Sequence, residues 1–299
     1  MVSLVEYDQI IMNTSGSQQF GGVWTEQKLI AVENYLSFYT TALKKTTFKL
    51  CYIDAFSGSG NITLKDGRII DGSAVRALRY DFDRYYFCEE SKQYLDRLLR
   101  TIYEQFPEKK DRIIPILGDC NRMLTNIADD NEWFSSGWRG VVFLDPYAMN
   151  LSWSCLESIS RARAFFDVWY LFPFSAVNRN LPKSAIIAPA NEARLNNIFG
   201  TTNWKEQIYQ LSLQQPLFGG PNLKKVSSAA IREYILNRLR ETFCTVASNP
   251  ALLKNTMNST MFLLCFAASN PNQRASEISL KGANHILKHV FDEEEDDGT

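Results

Sequence analysis

The chain has 299 residues, 45% of them hydrophobic and 22% charged, with a formal net charge of −1. This is enough for one large domain, and ordinary for a water-soluble globular protein. The absence of any run of about 18 or more apolar residues argues against a membrane span, and the polar start against a secretory leader, so a cytoplasmic location is expected.

Six cysteines are scattered without a Cys-x-x-Cys pair, and there are two histidines, so no metal site is expected and the thiols should be reduced. The charge is unevenly placed. Residues 292–297 hold six acids; without them 32 basic residues face 27 acidic ones, a balance of +5. Such a block reads as a solvated, disordered tail or as one that competes with an anionic partner for the protein's own basic surface.

Residues 1–24 read as a loose lead-in. A helix is predicted from about residue 25, capped by Thr25, to Lys45, because Leu29, Val32, Leu36, Tyr39 and Leu43 recur at steps of three and four. A strand over 48–54 follows. Ile62–Ile70 has two alternating arms around Asp66-Gly67, a hairpin signal; it stands where it could fold over a ligand. Asp71-Gly72-Ser73 is read as the cap of a short helix over 74–79.

Strands are then predicted at 84–88, 112–117, 140–144 and 164–172, with helices at 91–105, 121–129 and 151–161 between them. Such alternation implies parallel pairing with right-handed crossovers. Prolines break the rhythm over 174–226, read as an inserted helical segment with pieces near 185–198 and 203–213. A helix over 227–240, strands at 242–247 and 259–267 joined by a long connection, and a helix over 275–290 complete the chain. The expected architecture is α/β: a Rossmann-like class I methyltransferase sheet of seven mixed strands, the last pair antiparallel. The methyltransferase-like domain is expected over 25–291, and the acidic tail over 292–299.

The stretch Tyr52-Ile53-Asp54-Ala55-Phe56-Ser57-Gly58-Ser59-Gly60 carries the most chemistry. A strand ends in a carboxylate and opens into a Gly-x-Gly turn, where a ligand can lie against backbone. No third glycine follows at dinucleotide spacing and no Gly-Lys-Ser/Thr follows, so a nucleoside ligand without pyrophosphate is favoured, S-adenosylmethionine first. Asp54, Phe56, Gly58 and Gly60 are the candidate cofactor-binding residues of the turn. Glu89 (or its neighbour Glu90) ends the next strand, where an acid can accept from ribose hydroxyls. Asp119 could accept from an adenine amino group, or simply cap the helix after it.

Asp145-Pro146-Tyr147, after the fourth parallel strand, are the candidate catalytic residues. Asp145 and the Pro146 carbonyl can accept from a target amino group and hold its lone pair toward a methyl donor, while Tyr147 can stack on a planar base. The alternative is a proline-stopped strand end. Phe172-Pro173-Phe174 and Asn178-Arg179-Asn180 could line the substrate side or pack the insertion. His285 and His289, one turn apart, are read as a solvent-facing pair.

Six segments carry a family resemblance: Trp24-Thr25-Glu26-Gln27-Lys28, the Tyr52–Gly60 turn, Asp71-Gly72-Ser73-Ala74, Gly118-Asp119-Cys120-Asn121, Phe143-Leu144-Asp145-Pro146-Tyr147 and Phe266-Ala267-Ala268-Ser269-Asn270-Pro271. With these the chain resembles the three-Cys-motif partner proteins. The resemblance implies a class I methyltransferase fold and partnership with a three-cysteine protein similar to radical S-adenosylmethionine enzymes. The chain is also similar, more loosely, to nucleic-acid amino methyltransferases, but it has one proline where their Asp/Asn-Pro-Pro-Tyr/Phe motif has two. Three functions follow as expectations: a methyltransferase acting on an amino nitrogen of nucleic acid or a modified nucleoside, a non-catalytic methyltransferase-fold partner, and, last, a metal-dependent nuclease using the strand-end acids.

Overall fold

Helix α1 (Val23–Leu43) opens the described part of the computed structural model, which covers residues 23–129, 137–211 and 223–291. The helix starts two residues before Thr25, so Thr25 is not its cap but a buried residue of its first turn. Val32, Tyr35, Leu36 and Tyr39 are buried along one stripe, as their spacing requires. The first 22 residues and the acidic tail lie outside the described residues.

The sheet is built from β1 (Lys49–Asp54), β4 (Arg84–Glu89), β5 (Ile113–Leu117), β6 (Trp138–Leu144), β7 (Phe165–Phe172), β10 (Thr245–Val246), β11 (Ala251–Lys254) and β12 (Thr260–Ala268). Its order is β5-β4-β1-β6-β7-β12, with β10 and β11 both on the free side of β12. The first five strands pair in parallel. Strand β12 runs antiparallel to β7 and to both β10 and β11. This mixed sheet, with its parallel core and antiparallel end, is a Rossmann-like class I methyltransferase fold.

Two details differ from the sequence reading. The stretch read as a connection before the last strand contains β11, so the outermost position is one strand broken in two. The break carries Asn249-Pro250, and proline has no N–H to give a ladder. The helical piece expected over 203–213 ends at Ile208: α8 (Trp204–Ile208) runs into β8 (Tyr209–Leu211), which pairs with β9 (Leu223–Lys225). At the opposite rim, β5 carries Pro115.

Both faces of the sheet are covered, which is why the parallel strands are near-continuous apolar runs. On one face lie α1, α2 (Ser73–Ala77), α3 (Lys92–Gln105) and α10 (Gln273–Phe291). On the other lie α4 (Cys120–Asp129), α5 (Trp153–Arg161), α6 (Phe174–Arg179), α7 (Pro189–Phe199), α8 and α9 (Ser228–Thr242). Phe199, Trp204 and Ile208 share this second core with α5 and α9. The buried Asp167 of β7 ties three elements together: it accepts from Tyr35 Oη of α1 (2.7 Å) and Ser279 Oγ of α10 (3.0 Å). Burial pushes this carboxyl up to about 6.

Candidate functional site

Strand β1 lies inside the sheet, between β4 and β6, so the turn after Asp54 opens at the centre of the carboxyl edge. In open α/β sheets this edge is where ligands bind. The turn is fixed by its neighbours. Ala55 N–H donates to Phe143 O of β6 (3.2 Å), and Ser57 N–H donates to Cys88 O of β4 (2.9 Å). Ser57 Oγ donates to the same carbonyl (3.0 Å), and Phe56 packs on the core.

The two glycines of the turn serve different ends. Both have left-handed backbone, with φ of +62° at Gly58 and +88° at Gly60. A Cβ on Gly60 would stand 3.0 Å from Leu98 Cδ1, so this glycine is needed for packing. A Cβ on Gly58 would meet no atom within 4 Å: its face looks onto open space. Beside that space lies Glu89, whose Oε2 accepts from Gly58 N–H (3.0 Å) and whose Oε1 accepts from Ser91 N–H (2.8 Å). Glu90 is exposed and makes no such bond, so Glu89 is the acid that faces the glycine turn. The hairpin of β2 (Asn61–Thr63) and β3 (Ile69–Asp71) rises from the turn as expected, its base closed by Gly72 N–H on Gly60 O (2.7 Å).

The Asp71-Gly72-Ser73 segment does not cap α2 through a side chain. Instead Asp71 pairs with Arg79 (2.5 Å), while Ser73 acts on the Asp54 carboxyl, holding its pKa down. Asp54 is fully buried, and it also accepts from Phe56 N–H (3.2 Å) and Tyr52 Oη (3.3 Å). Burial pushes its carboxyl up to about 7; Ser73 and the bonds from Phe56 and Tyr52 oppose this, and the charge of Asp145 adds to it. Asp54 is therefore enclosed by the protein and braces the turn from below.

Asp119 follows β5. Its Oδ1 accepts from Asn121 N–H (2.9 Å) and Nδ2 (3.0 Å), so it does hold the start of α4 as a capping residue would. Asn121 in turn donates to Asn150 O (2.9 Å) and accepts from Ser152 N–H (2.8 Å), joining this loop to the one after β6.

After β6, Asp145 is partly buried, Pro146 is buried, and Tyr147 is 62% exposed. Ala148 has φ +57°, which turns the chain sharply there. Asp145 forms an ion pair with Lys28 of α1, the two side chains being 26% and 7% exposed. Lys28 also lies over the Trp24 ring, 5.5 Å from its centroid, and Trp24 packs on Phe262 at the start of β12 (5.0 Å). The first turn of α1 thus covers the carboxyl edge beside β6 and β12.

Lys28 was not among the residues expected from sequence to build the site. Its signal was present: residues 28, 32, 35 and 39 form one helical stripe, and the other three are buried. A lysine on such a stripe must find a partner.

The segment after β7 packs more than it lines. Phe172 and Phe174 are buried, the Asn178 carbonyl and Oδ1 receive Lys225 Nζ (3.0 and 2.7 Å), and Asn180 Nδ2 donates to Ala176 O (2.8 Å). His285 and His289 are exposed, their rings 4.2 Å apart, on a groove of about 510 Å³ between α1 and α10 and away from the carboxyl edge. The six thiols are free; burial pushes Cys88 up to about 12 and Cys155 up to about 11, which makes them poor nucleophiles. Among the described residues no helix is long and apolar enough to cross a membrane.

The residues at the carboxyl edge fit a methyl-donor nucleoside. Open space at Gly58 lies beside an acceptor-only carboxylate, and Asp145 stands one strand further on. No protein-family model and no curated protein sequence matches the chain. Among solved structures it is similar to a Legionella pneumophila protein of the family model DUF519, with TM-score 0.49, 15% identity, and 91% of this chain and 93% of that one covered. It is also similar to spermidine synthase from Thermotoga maritima (TM-score 0.42, 11% identity, 87% and 62% covered). A third is the methyltransferase domain of a bacterial CtHen1 (TM-score 0.36, 12% identity, 79% and 98% covered). At these identities the likeness is one of fold alone.

Proposed function

We propose that the chain is an S-adenosylmethionine-dependent methyltransferase acting on an amino nitrogen of nucleic acid or of a modified nucleoside. The observation that carries this reading is the pairing, at the ends of adjacent strands, of a glycine turn open to a ligand with the Asp145-Pro146-Tyr147 loop. Gly58, Glu89 and Asp119 would hold the nucleoside part, with Phe56 and Gly60 shaping the turn and Asp54 bracing it. When bound, S-adenosylmethionine supplies the methyl group: the acceptor nitrogen's lone pair forms the new N–C bond, the C–S pair stays with sulfur, and one N–H proton passes to water.

Asp145 would receive the amino group, and the exposed ring of Tyr147 would stack on the base that bears it. Titration calorimetry with S-adenosylmethionine tests the first half: a folded protein that gives no binding heat would reject the reading. Labelled methyl donor added to bulk RNA and DNA tests the second.

The exposure of Tyr147 and the capture of Asp145 by Lys28 favour a second reading, a non-catalytic partner of a three-Cys-motif protein. Methyl transfer to any nucleic-acid pool removes it.

A further inference from the structure

The acceptor end of the site holds two carboxyl groups on adjacent strands, and neither is a bare negative charge. Asp54 is fully buried and accepts from Phe56 N–H and Tyr52 Oη. Asp145 reaches solvent, but its Oδ2 belongs to Lys28. Among the described residues its Oδ1 has no hydrogen-bond donor, while the ammonium of Lys28 is held on its other side by the Trp24 ring. The ion pair joins residues 117 positions apart, so α1 is docked across the edge by a charged contact as well as by its apolar stripe.

We propose that Lys28 is a positioning residue of the acceptor site: its ammonium fixes Asp145 and cancels its charge. The second oxygen is then left for an uncharged amino group, such as that of a nucleobase, in preference to an alkylammonium. This rests on the methyltransferase reading and narrows its acceptor.

The physical argument is one of opposed charges at similar range. An incoming ammonium at Oδ1 would be drawn by Asp145 but repelled by Lys28, so much of that attraction is offset. It also has no lone pair until it loses a proton. A neutral arylamine carries no such penalty, since it needs only one acceptor and a stacking surface, and Asp145 Oδ1 and Tyr147 supply both. Thr25 adds to the picture: it lies one turn before Lys28, it is buried, and its Oγ1 has no partner among the described residues. A buried hydroxyl left so is costly unless a ligand or water completes it.

The test compares the wild type with Lys28→Met, Lys28→Arg and the double variant Lys28→Met/Asp145→Asn. S-adenosylmethionine affinity, by calorimetry, should stay within about 3-fold in all four, because Lys28 is outside the cofactor's half. With bulk nucleic acid as acceptor, Lys28→Met should lose kcat on the order of 100-fold with a smaller change in KM, and Lys28→Arg should recover part of it. Putrescine should not be methylated by the wild type. By calorimetry it should bind Lys28→Met at least about 10-fold more tightly than wild type, and the double variant should lose that gain.

The double variant leaves no charge unpaired, so it serves as the reference against which the Lys28→Met gain is read. Wild-type kcat in Lys28→Met, transfer to putrescine by the wild type, or equal putrescine affinity in all variants would overturn the proposal. Absence of S-adenosylmethionine binding by the wild type would sink the methyltransferase reading instead, while the putrescine comparison would still judge the charge balance.

Discussion

On the β1–β4–β5 side of the edge the polar side chains are held by nearby backbone. Glu89 is tied to Gly58, 31 residues away, and Asp54 and Asp119 each accept from an N–H two residues on. On the β6 side the same kind of carboxylate, Asp145, is held by a lysine 117 residues earlier in the chain. The first arrangement is complete once two adjacent strands and their loops have formed. The second exists only when α1 has docked. A nucleoside therefore meets a surface set by local geometry, whereas an acceptor meets one set by a long-range charged contact.

The largest test of this contrast is pH. Asp54 and Asp167 have folded-state values of about 7 and about 6, above those of unfolded carboxyls. The folded chain holds these protons longer, so their contribution to stability is full below about pH 4 and is lost as pH rises toward 7. The unfolding free energy, from denaturant titrations at a series of pH values, should fall over that window by a few kcal/mol in all. Asp54→Asn should flatten most of the slope, and Asp167→Asn the remainder. A flat profile in the wild type would mean that neither carboxyl is as enclosed as described.

Next comes Asp145→Ala, which strands the Lys28 charge and should cost about 3 kcal/mol in urea titration while leaving S-adenosylmethionine affinity unchanged. If cofactor affinity fell with stability, the two sides would not be independent. Gly58→Ala sharpens the other half. It should weaken cofactor binding about 10-fold or more by calorimetry and cost only ~1 kcal/mol of stability. Gly60→Ala should reverse the order, with ~2 kcal/mol lost to the Leu98 contact. The smallest effect is expected from Tyr147→Ala: stability within ~0.5 kcal/mol of wild type, with acceptor KM raised about 10-fold.

The contrast also explains what could be read from the chain. Strands leading into Asp54, Glu89, Asp119 and Asp145 were legible because hydrophobic runs and glycine turns are local signals. So was the hairpin at Asp66-Gly67. The choice between Glu89 and Glu90 needed coordinates, because one residue of register decides which side chain meets Gly58. Lys28 was readable only as an anomaly on an apolar stripe, since nothing local marks a partner 117 residues away. The Asp71-Gly72-Ser73 segment does open α2, with Gly72 as the N-cap, but no side chain there makes the capping bond. Strand β11 was hidden by Asn249-Pro250, which truncates the run and reads as a turn.

That interruption, together with Pro115 at the far rim, bears on how molecules of this protein behave toward one another. An exposed sheet border with an unbroken row of free N–H and C=O groups is a template for fibre growth. Here one border is a two-residue and a four-residue piece with a proline between them, and the other has a proline at its midpoint. Neither offers a long register to an incoming chain. Both borders of the sheet are thereby poor templates for fibre growth.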